Sequence, residues 1–224
     1  MSFMLKPESL NKIMILAPHC DDEVIGCGGL LLRCLKDGKD CEVIYFTEPL
    51  SKEGAKRNKE AENAWHDYPS LKQIFFGFPD SQLEQYYELA IDKLSHAVEE
   101  FNPESFFLPW PFDQHTDHRI MYKILNSSLK TTENIKIYFY EVFYPLYSNC
   151  SLNITDVFEE KIRLIEAFES QRRLKLTDLV FTLNSFRATA IRLKKIKYVE
   201  AFFCLTEQHS LLLQTIYSEI SREK

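Results

Sequence analysis

The chain has no apolar run near the roughly 20 residues that a membrane-spanning helix requires, so a helical membrane protein is excluded. Its start, Met1-Ser2-Phe3-Met4-Leu5-Lys6-Pro7, lacks the apolar core of a secretory signal, and a cytoplasmic protein is expected. Basic residues are not in excess: 27 Lys and Arg against 33 Asp and Glu leave a net charge of -6, which argues against general nucleic-acid binding. The short run Lys194-Lys195-x-Lys197 reads as a solvated connector. None of the six cysteines forms a Cys-x-x-Cys pair, which excludes a zinc ribbon. Cys20, Cys27, Cys34 and Cys41 recur every seven residues, and Cys27 and Cys34 read as small buried apolar residues. A dinucleotide fingerprint is missing too, because Gly26-x-Gly28 meets Leu31 where the third glycine should stand and the loop before it is acidic. No repeat or low-complexity linker divides the 224 residues. One domain over 1–224 is expected, with its core at about 11–145 and the part from 146 to 224 completing it. Self-association is left open.

What the chain does have is an alternation of apolar strands with amphipathic helices. Ile13–Ala17, Cys41–Thr47, Leu71–Phe76, Ser105–Leu108 and Ile135–Tyr140 read as strands, and Tyr198–Leu205 as a later one. Helices are expected from Val24 to Leu35 with a stop at Gly38, over about 53–68 and 81–101, and from Thr116 onward. On the helix over 81–101, Leu83, Tyr86, Tyr87, Leu89, Ala90, Leu94, Ala97, Val98 and Phe101 form the expected inner face. Beyond Pro145, 156–170 reads as helical, 171–185 as helix and loop, and the stretch ending at Lys224 as a terminal helix. The pattern predicts an α/β fold with a Rossmann-like, mostly parallel sheet flanked by helices.

Two polar clusters stand directly after apolar strands, where open α/β sheets bind ligands. The first is Pro18-His19-Cys20-Asp21-Asp22-Glu23, the second Asp113-Gln114-His115-Thr116-Asp117-His118. His19, Asp22 and His118 would supply three ligands for a zinc ion and leave a fourth position open, the arrangement of a catalytic site. Adjacent loop side chains diverge, so one of Asp21 and Asp22 ligates and the other is free. Glu23 is already explained by the helix dipole. Pro109-Trp110-Pro111-Phe112 reads as a rigid aromatic loop before the second cluster and could wall the site. His66 and His96 have no chelating neighbours and read as surface or core-edge histidines, and His209 reads as a surface one.

The His-x-Asp-Asp-Glu loop with its distant His-x-Asp-His resembles the PIG-L or LmbE-like zinc-dependent N-acetylglucosaminyl deacetylases. Arg57-x-x-Glu60-Ala61, Gly77-Phe78-Pro79-Asp80, Ser170-Gln171 and Tyr198-Val199-Glu200-Ala201-Phe202 look like further landmarks of that family, in family order. Cys20 departs from the family's proline. The resemblance implies a hydrolase that removes an acetyl group from an N-acetylglucosaminyl-type or related sugar, with Zn2+ or another divalent ion bound. It implies Asp22 as ligand, Asp21 as general base, a protonated His115 stabilising the oxyanion, and Asp117 orienting His115. Arg57 would lie at the substrate pocket, against the alternative of a solvated helix charge. Asp80 would point into the same rim or cap the next helix. A metal-dependent amidase or phosphoesterase on the same scaffold, and a non-catalytic sugar-binding module, are the competing readings.

Overall fold

Alternate residues of the central strands leave for opposite faces of one sheet. Ile13, Ile15 and Ala17 join one buried cluster, while Met14 and Leu16 join the other. The computed structural model describes residues 3–50, 52–131 and 134–206. In chain order the strands are β1 (Phe3–Met4), β2 (Lys12–Ala17), β3 (Asp40–Glu48), β4 (Lys72–Pro79), β5 (Ser105–Pro109), β6 (Lys136–Tyr140), β7 (Cys150–Asn153) and β8 (Val199–Cys204). They form one sheet ordered β1-β7-β8-β6-β5-β2-β3-β4. The pairs from β4 across to β6 are all parallel, and β8 runs antiparallel to both neighbours. The sheet is thus mostly parallel, as the alternating pattern predicts.

The helices are α1 (Asp22–Lys36), α2 (Lys52–Ala64), α3 (Tyr87–Phe101), α4 (Thr116–Ser128), α5 (Phe158–Glu166) and α6 (Leu176–Ile191). Several expected boundaries shift. The stretch 81–101 splits into a 3-10 turn at Leu83–Tyr86 and then α3, and Leu89, expected inside, is exposed at 49%. The loop expected within 171–185 is a 3-10 turn, Glu169–Leu174, that passes directly into α6. The sequence reading missed β1 and β7, which are short and lack a clear alternation. The expected terminal helix and His209 lie outside the described residues. Among those residues, no helix is long and apolar enough to cross a membrane.

The glycines of α1 serve packing. A Cβ on Gly26 would lie 2.2 Å from the Tyr140 ring, and one on Gly29 would lie 2.4 Å from Ile154. Only glycine lets α1 settle this close to the sheet. Underneath, the fully buried Lys161 donates to Ile25 O (2.8 Å) and to Glu200 (2.7 Å), and Glu200 accepts from the amides of Gly29 and Leu30. A buried pair of this kind holds only because the remaining donors and acceptors are satisfied. It anchors the helix whose first turn carries the acidic loop.

Candidate metal centre

β2 and β5 are neighbours, and the two polar clusters leave their carboxyl ends side by side. His19-Cys20-Asp21 turns from β2 into α1. Thr47 ties this turn to β3, with its amide and hydroxyl both donating to Pro18 O. Asp21 has φ 124°, outside the range that side chains other than glycine adopt at low cost. Three contacts oppose that strain. The Asp21 amide donates to Glu23 Oε2 (3.0 Å), and Arg57 donates from Nε to Cys20 O (2.9 Å) and from Nη2 to Asp21 Oδ2 (2.6 Å). Glu23 is itself fully buried and accepts from Tyr45 Oη (2.8 Å) and Trp65 Nε1 (3.0 Å). It is therefore a brace for the loop, where the helix dipole alone would have left it in solvent.

His118 lies in the first turn of α4 and reaches back to the loop. His19 Nδ1, Asp22 Oδ2 and His118 Nε2 form a near-equilateral triangle with sides of 3.1, 3.2 and 3.3 Å. Tetrahedral zinc with bonds of about 2.0–2.1 Å places its donors about 3.3–3.4 Å apart, so this triangle has the dimensions of a ligand set. Two looser groups share the site: His19, His115 and His118, and His19, Asp80, His115 and Asp117, each with one donor atom within 4.8 Å of the others. The His19–Asp22–His118 set is the more regular cradle, since His115 Nε2 stands 3.9 Å from Asp80 Oδ1 in the wider group.

The outward nitrogens of both histidines meet carboxylates. His19 Nε2 faces Asp80 Oδ1 at 3.2 Å and Asp117 Oδ2 at 3.5 Å, while His118 Nδ1 faces Asp113 Oδ1 at 3.4 Å. A carboxylate on the far nitrogen fixes which nitrogen keeps its lone pair, and the free lone pairs then point into the triangle. His118 Nδ1 and Asp113 Oδ2 are otherwise buried without a partner, the mark of a contact that tightens once the ring is drawn onto an ion.

Burial and the close packing of these groups shift their ionisation in opposite directions. Burial alone would raise the Asp22 carboxyl, yet His118 and His19 hold it well below its ordinary range. Burial would lower both histidines, but Asp117, Asp22 and Asp80 raise His19, and Asp22 and Asp113 raise His118 to about 9. Asp80, hydrogen-bonded to His19, falls to about 2. Asp21 behaves differently: burial raises it, Arg57 only partly opposes this, and it reaches about 6.

Residues 14–129 match the family described as PIG-L, GlcNAc-PI de-N-acetylase. The chain belongs to the PIG-L family. Its fold is similar to that of N,N'-diacetylchitobiose deacetylase from Pyrococcus horikoshii, with TM-score 0.75 and 21% identity over 88% of this chain and 85% of that one. The conserved protein TT1542 from Thermus thermophilus gives 0.73 and 22% over 87% and 94%. GalB, the 4-carboxy-2-hydroxymuconate hydratase from Pseudomonas putida KT2440, gives 0.72 and 15% over 88% and 97%. One fold thus carries a deacetylase and a hydratase, and the choice for this PIG-L chain rests on its site.

Every site residue expected from the sequence reaches this centre, but several stand in other relations than expected. Arg57 is neither a solvated charge nor open to substrate through Nε and Nη2, which clamp the loop. Asp80 is bonded to His19, which places it behind a candidate ligand. Asp117 does not orient the His115 ring through its carboxylate, which instead accepts from the amides of Ser81 (2.8 Å) and Leu83 (3.1 Å). The Asp117 amide donates to His115 Nδ1 at 3.2 Å. Burial and the neighbouring His19 and His118 lower the His115 pKa, and because Nδ1 accepts from the Asp117 amide, Nε2 is the ring nitrogen left to donate. Trp110 packs against Phe112, Phe139 and Phe203, at ring separations of 5.2, 5.8 and 5.5 Å, and so belongs to the core more than to a sugar wall. Cys20 donates to Asn58 Oδ1 at 3.3 Å, and burial pushes its thiol up, which keeps it out of the ligand set as a neutral donor.

The sequence reading assigned no role to Asp113, although the residue stood in the cluster it singled out. Its spacing of five from His118, across a helix start, was the available signal. Asp113→Asn is expected to weaken metal affinity by about 10–100-fold. Competition with a chelator measures this, and an unchanged affinity would reduce Asp113 to its other contact, the His115 amide (3.0 Å).

Proposed function

We propose that this protein is a metal-dependent hydrolase that removes the acetyl group from an N-acetylated sugar, with His19, Asp22 and His118 holding the ion and zinc the best fit to two imidazoles and a carboxylate. The observation that carries the reading is the 3.1–3.3 Å donor triangle with Asp21 beside it, unligated and buried. Membership of the PIG-L family supports the reaction class.

The bound ion supplies Lewis acidity toward the acetamide carbonyl and the attacking water. Asp21, with its pKa near 6, takes one proton from that water as the oxygen adds to the carbonyl carbon. His115 donates from Nε2–H to the oxygen on which negative charge grows. As the C–N bond breaks, Asp21 returns the proton to nitrogen, and acetate and a free amine leave. Arg57 holds Asp21 and the Cys20 carbonyl in place, so that the strained turn keeps the base aimed while substrate binds. Asp80, partly exposed at the rim, keeps one oxygen on His19 and faces the sugar side.

His115→Ala should retain its metal and lose turnover by roughly 10²- to 10³-fold, the usual worth of one oxyanion donor. Loss of metal would instead make His115 a ligand. The reading as a whole is tested by loading the purified protein with zinc and screening N-acetylated sugars for acetate release, with N-acetylglucosamine and its β-linked dimer in the panel. Acetate from none of them, with hydrolysis of phosphate esters or peptides instead, would overturn it.

A further inference from the structure

The positive charge of this acidic chain is gathered in one stretch. Residues 172–197 carry eight Lys and Arg against one acid, Asp178, a net charge of +7, so the other 198 residues of a chain at -6 hold -13. Arg172-Arg173-Leu174-Lys175 leads into α6 and Arg192-Leu193-Lys194-Lys195-Ile196-Lys197 leads out of it, and all seven of these cations are exposed. Local stability does not explain the first group, because cations before a helix N-terminus oppose its dipole, and Lys175 itself takes the cap position. Ion pairing explains neither group. Among the described residues, Arg172 stands 3.7 Å from Glu169, and the other six have no carboxylate within 4.0 Å.

Between the two groups, α6 shows solvent an apolar side. Leu176, Val180, Asn184 and Ala188 recur every four residues and are buried, and Asn184 Nδ2 donates to Val199 O at 2.9 Å, which fixes that side against the sheet. The rest of the helix lacks the Lys and Glu with which an outer face is ordinarily solvated. Asp178 is its one acid, and its one cation, Arg187, is taken up by Glu141 and by Leu146 O (2.6 Å). In their place Phe181 and Phe186 are exposed at 51 and 56%, and Leu174 and Leu193, within the basic groups, at 49 and 50%. Four large apolar side chains half in water, on and beside a helix about 24 Å long, mark a contact face.

The charge says what the face meets. Cations at both ends of an apolar helix side match a surface that is anionic and apolar at once, which is a lipid bilayer with acidic headgroups: leucine and phenylalanine enter the acyl boundary while Lys and Arg stay among the phosphates. A nucleic-acid duplex would engage the cations and leave the apolar side chains in water. The end of the described chain does not cover α6 either. Leu205, after β8, packs on the cluster of Met14 and Leu16, whereas Leu176 and Val180 belong to the cluster of Ile13 and Ile15 on the opposite side of the sheet.

We propose that α6 and its basic ends dock this protein reversibly on an anionic membrane surface. The -13 held elsewhere is repelled by the same surface, so one orientation is selected, with α6 on the lipid. This concerns where the protein lies and is independent of what its metal centre hydrolyses.

The test is co-sedimentation of the full chain with vesicles of phosphatidylcholine alone and of phosphatidylcholine mixed with phosphatidylglycerol. Partition onto the mixed vesicles should exceed that onto the neutral ones by about tenfold or more and fall with added salt. Lys194→Glu with Lys195→Glu should lower it about tenfold. Phe186→Ser with Leu193→Ser should lower it severalfold with no change of charge, while Lys59→Glu with Lys130→Glu, a reversal of two exposed lysines outside the stretch, should change it little. All six positions are exposed, and circular dichroism checks that each variant is folded. Equal partition onto neutral and mixed vesicles, or equal losses in the two charge-reversed variants, overturns the proposal. So does a loss confined to the charge variants, with Phe186 and Leu193 dispensable, because that is the behaviour of a general polyanion site. Sedimentation velocity without lipid addresses the remaining occupant: self-association of wild type that is lost with Phe186 and Leu193 would assign the face to a second copy and overturn membrane docking.

Discussion

Asp21→Asn is expected to lower turnover by roughly 10²- to 10⁴-fold while the ion stays bound, because general base catalysis is usually worth that much. The amide keeps the shape of the side chain and can still accept from Arg57 Nη2, the contact that holds the strained turn. What it cannot do is take a proton. Asp22→Asn should behave differently, since Asp22 Oδ2 is a corner of the donor triangle and also accepts from the His19 amide at 2.9 Å. Its lost activity should return in part with excess zinc. Metal analysis and rates on one N-acetylated substrate separate the two variants. If Asp21→Asn loses the ion and Asp22→Asn keeps it, the two roles are exchanged.

His118→Ala is expected to have the largest effect on metal content. It removes one of three protein ligands and leaves the Asp113 carboxylate, only 1% exposed on its side chain, without the imidazole it faces. Elemental analysis should find about one ion per chain in wild type and a small fraction of that in the variant. The loss should exceed the roughly 10–100-fold expected when only an outer partner is changed. Equal content in the two proteins would remove His118 from the ligand set and shift attention to the wider group of His19, Asp80, His115 and Asp117.

The two clusters were legible because their position follows from chain order. A polar loop directly after an apolar strand lies at the carboxyl end of a parallel sheet, whatever the tertiary detail. The roles around them were not legible. Arg57 in the first turns of α2 looks like any helix charge until α2 is packed against the loop, where its side chain is 12% exposed. Glu23 fits a helix dipole until Trp65 and Tyr45 are found closing over it. Trp110 looks like a stacking wall until the rings of Phe139 and Phe203, from two other strands, surround it.

The sequence by itself determined the class of fold, the neighbourhood of the centre and the chemical type of its donors, because these depend on local apolar pattern and on which side chains follow which strand. Only the tertiary structure decided how the carboxylates divide their work. Asp80 and Asp117 arrive from separate segments, the end of β4 and the start of α4, and both turn toward His19, while Asp113 turns toward His118. That division depends on differences of a few tenths of an ångström in contacts between side chains as far apart in the chain as 99 residues. No spacing rule along a single strand or helix reaches that far, since the geometry is set by how the sheet places its neighbouring strand ends.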